Sequence, residues 1–216
     1  QHAGPKIQVG HIGTRPGYIL ANSDVFEVTV VGRGGHASSP QLCLDPIPVA
    51  AQIVTALQNI VSRQVAAKEH AVLSVTQFNS GTAYNIIPDT AVIKGTVRTY
   101  SQEKRELMQK AIGQIADKYA AAFDMRIEYN YACGYDNTHN TPEFTKALME
   151  VTDELYGSGA AEVMDPGLGG EDFSYYLQKV PGCFYFLGVR NEAIDCVHPT
   201  HSTKFRIDED SFSVGI

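Results

Sequence analysis

The most regular pattern in the chain is an alternation of apolar and polar side chains over positions 24–31. The apolar members share one side of an extended backbone and the polar members share the other: Phe26, Val28 and Val30 against Glu27 and Thr29. Because successive side chains of a strand point to opposite faces, this alternation predicts a half-buried β-strand from Asp24 to Val31.

Two stretches with helical spacing lie on either side of two further predicted strands. Asp45 is a capping residue, and Pro46 suits the first helical position, so the first helix is predicted to run from there to about Arg63. Ser101 caps a second predicted helix. The apolar faces of the two helices recur every three or four residues: Ile47, Ala50, Ile53, Val54, Leu57 and Val61, then Leu107, Met108, Ala111, Ile112, Ile115, Tyr119 and Ala122.

Further strands are predicted between and after these helices, and they complete the order of secondary-structure elements. They cover Ala71–Phe78 and Ala91–Thr99, and alternating residues from Met125 to Tyr131 form a last strand. The resulting order is β-α-β-β-α-β. It predicts a ferredoxin-like α+β domain, with one antiparallel sheet and two helices packed on one face.

The segments outside this domain show weaker patterns. Residues 1–20 are rich in glycine and proline, and a helix is predicted from Thr141-Pro142 to Tyr156, ending at Gly157. A short helical segment is expected at Glu171–Gln178. The apolar run Cys183–Val189 predicts a strand buried on both faces, which is typical of α/β sheets. So short a segment cannot form such a sheet alone, so further strands must come from elsewhere.

The composition, the net charge and the cysteine spacing argue against several classes of function. With 24 acidic and 17 basic residues, the net charge is −7, which argues against binding nucleic acid or an anionic membrane surface. No apolar run approaches the roughly 20 residues of a membrane span. The four cysteines form no CxxC pair, which favours reduced thiols and a cytoplasmic location.

Five residues are candidates for binding a ligand or a metal ion, and each also has a purely structural interpretation. His36 lies among three glycines that let a backbone approach a ligand, although a tight turn explains them equally well. His201 forms a His-x-x-His pair with His198, but two surface histidines would look the same. Asn85 lies in a loop between two predicted strands, where an Asn side chain commonly hydrogen-bonds to the backbone of a turn. Arg98 would be explained by an exposed salt bridge on the polar face of its strand. His2, taken alone, does not indicate any function.

Several segments together resemble the M20 family of metallopeptidases and amidohydrolases, in the branch that hydrolyses N-acyl, hippuryl and indoleacetyl amino acids. The matching segments are His2-x-x-Pro5 with Val9-Gly10, Gly34-Gly-His-Ala-Ser-x-Pro40 with Asp45-Pro46, Val61-Ser-Arg63, Gly81-Thr-Ala-Tyr-Asn-Ile-Ile-Pro-Asp89, Gly95-Thr-Val-Arg-Thr99, Gly170-Glu-Asp-Phe173, Val180-Pro-Gly182 and His201-Ser-x-x-Phe205. They follow the family order over nearly the whole chain.

The resemblance implies a metal-dependent hydrolase with two domains. An α/β catalytic domain would hold two divalent metal ions, zinc or manganese, and an inserted ferredoxin-like lid would form a homodimer. On this basis residues 1–20 and 134–216 are expected to be catalytic-domain segments, and residues 21–133 are expected to be the lid. The substrate would be a small N-acyl amino acid or peptide, cleaved at its amide bond.

The resemblance also implies residue roles. His2 and His201 would be metal ligands. His36 would be the catalytic lid histidine that reaches the partner's active site and stabilises the tetrahedral oxyanion. Asn85 and Arg98 would bind the substrate, and a planar guanidinium is suited to binding both oxygens of a carboxylate.

Two family motifs do not occur in this sequence. The base and three further metal ligands of relatives come from a Cys-x-His-Asp run and a Glu-Glu pair, and neither is present. The chain is therefore expected to be the C-terminal portion of such an enzyme, with an incomplete metal site. Two alternatives stay open: a non-catalytic dimerisation module, and a small-molecule binding domain that uses the ferredoxin-like sheet.

Overall fold

The chain contains more strands than helices, and the computed structural model describes every residue from Gln1 to Ile216. In chain order the strands are β1 (His2–Gln8), β2 (Ile12–Thr14), β3 (Gly17–Leu20), β4 (Asp24–Val31), β5 (Gly35–His36), β6 (Ala71–Ser80), β7 (Ile86–Ile87), β8 (Thr90–Thr99), β9 (Arg126–Ala132), β10 (Thr138–Asn140), β11 (Ala161–Val163) and β12 (Phe186–Arg190). The helices are α1 (Pro46–Gln64), α2 (Gln102–Ala121), α3 (Pro142–Tyr156), α4 (Ser174–Leu177) and α5 (Phe212–Gly215). None of them has both the length and the apolar content that a bilayer crossing requires.

These elements belong to two compact units. The ferredoxin-like unit comprises Asn22–Asp136 and Leu168–Gly170. The mixed-sheet unit comprises the remaining segments, Gln1–Ala21, Asn137–Gly167 and Glu171–Ile216. The assignment of residues 21–133 to a lid and of the flanking residues to a catalytic domain stays a prediction.

The ferredoxin-like unit has the predicted β-α-β-β-α-β order. Its main sheet has the strand order β6-β8-β4-β9, and every neighbouring pair is antiparallel. Both helices pack against this sheet, and their apolar faces join the buried side chains of β4 and β8 in one core. The ferredoxin-like fold predicted from the sequence is confirmed.

The helix starts in this unit follow from capping chemistry. The Asp45 side chain accepts a hydrogen bond from the Ile47 backbone N–H at 3.0 Å, with Pro46 as the first helical residue. The Ser101 hydroxyl accepts one from the Lys104 N–H at 3.3 Å. Each cap satisfies one of the amide groups that a helix start leaves without a partner, so both predicted starts are confirmed.

The mixed-sheet unit contains a sheet in the order β1-β12-β2-β11. The pairs β1/β12 and β2/β11 are parallel, whereas β12 and β2 are antiparallel. No strand was predicted in residues 1–20, yet β1, β2 and β3 lie there. β1 contains Gly4 and Pro5, and β2 and β3 have only three and four residues, so none of the three shows a clear alternation of apolar and polar side chains.

Two predicted boundaries in this unit are wrong. The strand expected at Cys183–Val189 begins only at Phe186, because the side chain of Asn140 takes the place of a strand partner at Phe184. The Asn140 oxygen accepts from the Phe184 N–H at 2.7 Å, and its amide donates to the Phe184 carbonyl at 2.8 Å. The helical segment expected at Glu171–Gln178 shortens to Ser174–Leu177. The predicted α3, ending at Gly157 with φ +104°, is confirmed.

Candidate functional site

Two of the predicted site residues, His36 and Asn85, are neighbours in a small β-ribbon. Strands β5 and β7 pair antiparallel with His36 opposite Ile86, and the Ala37 N–H donates to the Asn85 carbonyl at 3.0 Å. We call this pair of strands, with Ala37, Ser38 and Asn85, the His36 ribbon. The tertiary structure therefore joins two sequence motifs that lie far apart along the chain.

The backbone before His36 requires glycine because it runs against its own chain. A Cβ at Gly32 would overlap the carbonyl oxygen of Leu44, and a Cβ at Gly34 would overlap that of Ile87. The Gly34 N–H also donates to the Asp89 carboxylate at 2.8 Å. Close packing within the chain accounts for these glycines, and the approach of this backbone to a ligand stays a prediction.

The imidazole of His36 is exposed, and its hydrogen bonds involve one ring nitrogen only. Its Nδ1 accepts from the Ser38 N–H at 3.2 Å and lies 2.8 Å from the Ser38 hydroxyl. Its Nε2 makes no hydrogen bond within the chain. An open depression of about 590 Å³ borders the ribbon, which is within the range of small-molecule sites.

Arg98 lies on the open face of the sheet without an ionic partner. Its neighbour two residues earlier on β8, Thr96, bonds to backbone, and Lys94 pairs with Glu27 at 2.7 Å. Arg98 itself forms no ion pair or hydrogen bond within the 216 residues, and its guanidinium lies beside Gly170. The exposed salt bridge considered for Arg98 is therefore wrong, and its donors are available to a ligand.

Arg98 and the His36 ribbon lie at opposite ends of the same sheet. Residue Val31, which precedes the ribbon, pairs with Thr90 at the start of β8, whereas Arg98 is next to the last residue of that strand. At the rise of an extended strand, eight residues span roughly 26 Å. One small substrate cannot bridge that distance, so His36 and Arg98 of one ferredoxin-like unit do not form a common site.

The two predicted metal ligands belong to the mixed-sheet unit. His2 opens β1 opposite Phe186, and its Nδ1 lies 3.1 Å from the Ala3 carbonyl oxygen, to which it donates. His201 lies in the turn closed by the Ser202 N–H and the Pro199 carbonyl, with φ +67°. No hydrogen bond or ring contact joins the two imidazoles.

The residues of this chain do not make a metal site on their own. Among all 216 residues, no group of three or more His, Cys, Asp or Glu side chains is close enough to hold a metal ion. Zinc sites in proteins use three or four such ligands. His2 and His201 could bind a catalytic metal only together with ligands from outside this chain.

The ferredoxin-like unit contains a buried ionic network that the sequence patterns do not predict. Asp24 is fully buried, and its carboxylate accepts from Arg105 Nε at 2.8 Å, from the Tyr131 hydroxyl at 2.7 Å and from the Gly134 N–H at 3.1 Å. A signal was present, because Arg105 precedes Met108 by three residues and so lies on the apolar face of α2.

This network sets the protonation of its members. Burial by itself raises the pKa of the Asp24 carboxyl, but hydrogen bonds from Arg105 and Tyr131 outweigh it and lower the pKa below the ordinary 3.8. Burial and the bond to Asp24 raise the pKa of the Tyr131 phenol. Asp24 is therefore a carboxylate, and Tyr131 is a protonated donor, at neutral pH.

The lowered pKa of Asp24 predicts an acid-sensitive ferredoxin-like unit. Since the folded pKa lies below the unfolded one, the stabilisation is complete above about pH 4 and is lost as pH falls through the folded value. We expect the free energy of opening, from hydrogen exchange at β4 and β8, to fall more steeply below pH 4 in the wild type than in Asp24→Asn. The slopes of the free energy of opening against pH in the two proteins differ by at most about 1.4 kcal/mol per pH unit. Equal slopes would contradict this assignment.

Comparison with known proteins identifies the family. Residues 20–124 match the M20 peptidase dimerisation domain. The chain is 37% identical to thermostable carboxypeptidase 1 of Saccharolobus solfataricus, covering 99% of this chain and 54% of that protein, and 35% identical to N-acetylcysteine deacetylase of Bacillus subtilis, covering 99% and 54%.

A solved structure gives the same result. The chain superposes on a dinuclear metal-binding M20 peptidase from Bacillus subtilis with a TM-score of 0.80 and 30% identity, covering 99% of this chain and 52% of that one. The chain thus spans about half the length of the relatives it matches. Its sequence segments, its ferredoxin-like sheet and these similarities agree, and the chain belongs to the M20 peptidase family.

Proposed function

We propose that this chain contributes the dimerisation domain and part of the catalytic domain of a metal-dependent amidohydrolase or peptidase. Its substrates would be N-acyl amino acids or small peptides, cleaved at the amide bond. A carboxypeptidase and an N-acetylcysteine deacetylase are both among the similar proteins, and both names describe hydrolysis of an amide bond. The shared reaction supports the class of substrate, whereas the acyl group and the amino acid are left open.

The residues of the chain suit particular parts of this reaction. When water adds to the amide carbonyl, the carbonyl oxygen gains negative charge, and an N–H donor such as His36 stabilises it. Arg98, which has no partner within the chain, would bind the substrate carboxylate with its parallel N–H donors. Asn85 adds an amide beside His36. Water activation and the remaining metal ligands lie outside the residues of this chain.

The observation that carries this proposal is the separation of His36 from Arg98. The His36 ribbon follows Val31, which pairs with Thr90, and Arg98 lies eight residues further along β8, roughly 26 Å from Thr90. His36 and Arg98 can therefore serve the same small substrate only if they come from two different subunits. Pairing through the dimerisation domain would provide this, with His36 of one protomer acting at the site that holds Arg98 of its partner. β6 is an edge strand of the main sheet, so its outer edge is available for such pairing.

One observation favours a second candidate function. The absence of any cluster of three metal-ligand side chains is also what a non-catalytic dimerisation module would show. Such a module would form the dimer but would bind no catalytic metal, even when it is combined with another polypeptide.

Hydrolysis assays with metal analysis separate the two functions. We expect the purified chain alone, given Zn²⁺ or Mn²⁺, to hydrolyse neither an N-acetyl amino acid nor a dipeptide, because two imidazoles are too few ligands. We expect turnover and bound metal when it is combined with a polypeptide carrying a Cys-x-His-Asp run and a Glu-Glu pair. If that assembly shows no turnover and binds no metal, the result would favour the non-catalytic module. Turnover by the chain alone would refute the incomplete metal site.

Mixing two inactive variants of the assembled protein tests the shared site. The assembled protein is this chain combined with the polypeptide that carries the Cys-x-His-Asp run and the Glu-Glu pair. In a mixed dimer of His36→Ala and Arg98→Ala, one site contains an intact Arg98 and receives an intact His36 from the other subunit. Random pairing makes half the dimers mixed, each with one working site, so about a quarter of wild-type activity should return. If both residues acted in one protomer, mixing would restore nothing.

A further inference from the structure

The side chain of His36 is held by the residue two positions after it. Its Nδ1 lies 3.2 Å from the Ser38 backbone nitrogen and 2.8 Å from the Ser38 hydroxyl oxygen. A backbone N–H can only donate, so Nδ1 must present a lone pair to it. In a neutral imidazole the single ring proton is then on Nε2, since the hydrogen bond of one nitrogen decides the protonation of the other.

We propose that Ser38 is a positioning residue that fixes His36 in the Nε2–H tautomer and leaves that N–H as its only outward donor. The backbone on both sides supports this arrangement. The Ala37 N–H is bonded to the Asn85 carbonyl, and the Ser39 N–H donates to the His36 carbonyl at 2.9 Å. The main chain cannot readily turn the ring away, and the two Ser38 donors hold the inner nitrogen.

The consequence for chemistry rests on the proposed function. A developing oxyanion needs a donor, and an imidazole in the other tautomer would present a lone pair and repel it. Fixing the tautomer before the substrate arrives means that no proton has to be rearranged during the reaction, which is the basis of electrostatic preorganisation. Ser38 would act on the rate through His36 without touching the substrate.

The tautomer can be measured in the chain itself by ¹⁵N long-range correlation NMR of the neutral His36 ring at alkaline pH. We expect the wild type to show mainly the Nε2–H form. Ser38→Ala removes the hydroxyl but keeps the backbone donor, and we expect about a fivefold shift toward the Nδ1–H form, the size of one neutral hydrogen bond. Ser38→Thr, which retains a hydroxyl, should restore the wild-type ratio.

Ser39→Ala is the matched control, because the Ser39 side chain makes no hydrogen bond and only its backbone is used. It should leave the His36 tautomer unchanged. A wild-type ring in the Nδ1–H form, or equal ratios in Ser38→Ala and Ser39→Ala, would overturn the inference. This measurement needs no turnover, so its failure is distinguishable from a failure of the proposed hydrolysis, which the assembled protein tests separately.

Discussion

Replacing Asp24 with alanine is expected to destabilise the ferredoxin-like unit by about 3–5 kcal/mol, because it removes the buried counter-charge of the Arg105 guanidinium and leaves only the partly exposed Asp136 carboxylate, at 3.5 Å, as its ionic partner. The same change removes the acceptor of the Tyr131 hydroxyl and the Gly134 N–H, both of which bond to this carboxylate. A buried polar group that loses its partner costs its full desolvation energy. Removal of Asp24 is therefore expected to cost more than the loss of the Asp24–Arg105 ion pair alone.

Hydrogen exchange is the appropriate measurement, because the chain has two units and global unfolding need not be a single transition. The amides of β4 and β8 report the opening of the ferredoxin-like unit. Glu27→Ala is the matched control on the same strand. It removes a pair with Lys94 in which both side chains are about two-fifths exposed, and such pairs are worth about 0.2–1 kcal/mol. Equal losses for Asp24→Ala and Glu27→Ala would show that the buried network is not a main source of stability.

Replacing His36 with alanine is expected to lower kcat of the assembled protein by about 10²–10³ while changing KM little. This is the typical effect of deleting one donor to a tetrahedral oxyanion, because the interaction strengthens only as charge develops in the transition state. His36 is exposed and bonds only to Ser38 through its ring, so its removal should leave the fold intact.

His70→Ala provides the control, since His70 belongs to the same unit and its ring contacts Tyr100 rather than the His36 ribbon. Its kcat should equal that of the wild type. Steady-state hydrolysis of an N-acetyl amino acid measures both variants. A large rise in KM with unchanged kcat for His36→Ala would assign the imidazole to substrate binding, and a rate unaffected by the change would remove it from the reaction.

The sequence by itself determined the ferredoxin-like domain. Its evidence was local and redundant: alternation at Asp24–Val31, a capped amphipathic helix from Pro46, and a second helix capped by Ser101. Each element buries one face, so periodicity alone reveals which side chains meet the core. The family resemblance also came from motifs along the chain, and comparison with known proteins confirmed it.

Only the tertiary structure decided which residues meet. It placed Asn85 beside His36, left Arg98 at the far end of the sheet, and joined Asp24 to Arg105 in the core. Contacts between distant segments depend on strand order and register, and no periodic pattern records them. The short strands of residues 1–20 and the start of β12 escaped prediction for the same reason, because partners elsewhere in the chain, including the Asn140 side chain, define them.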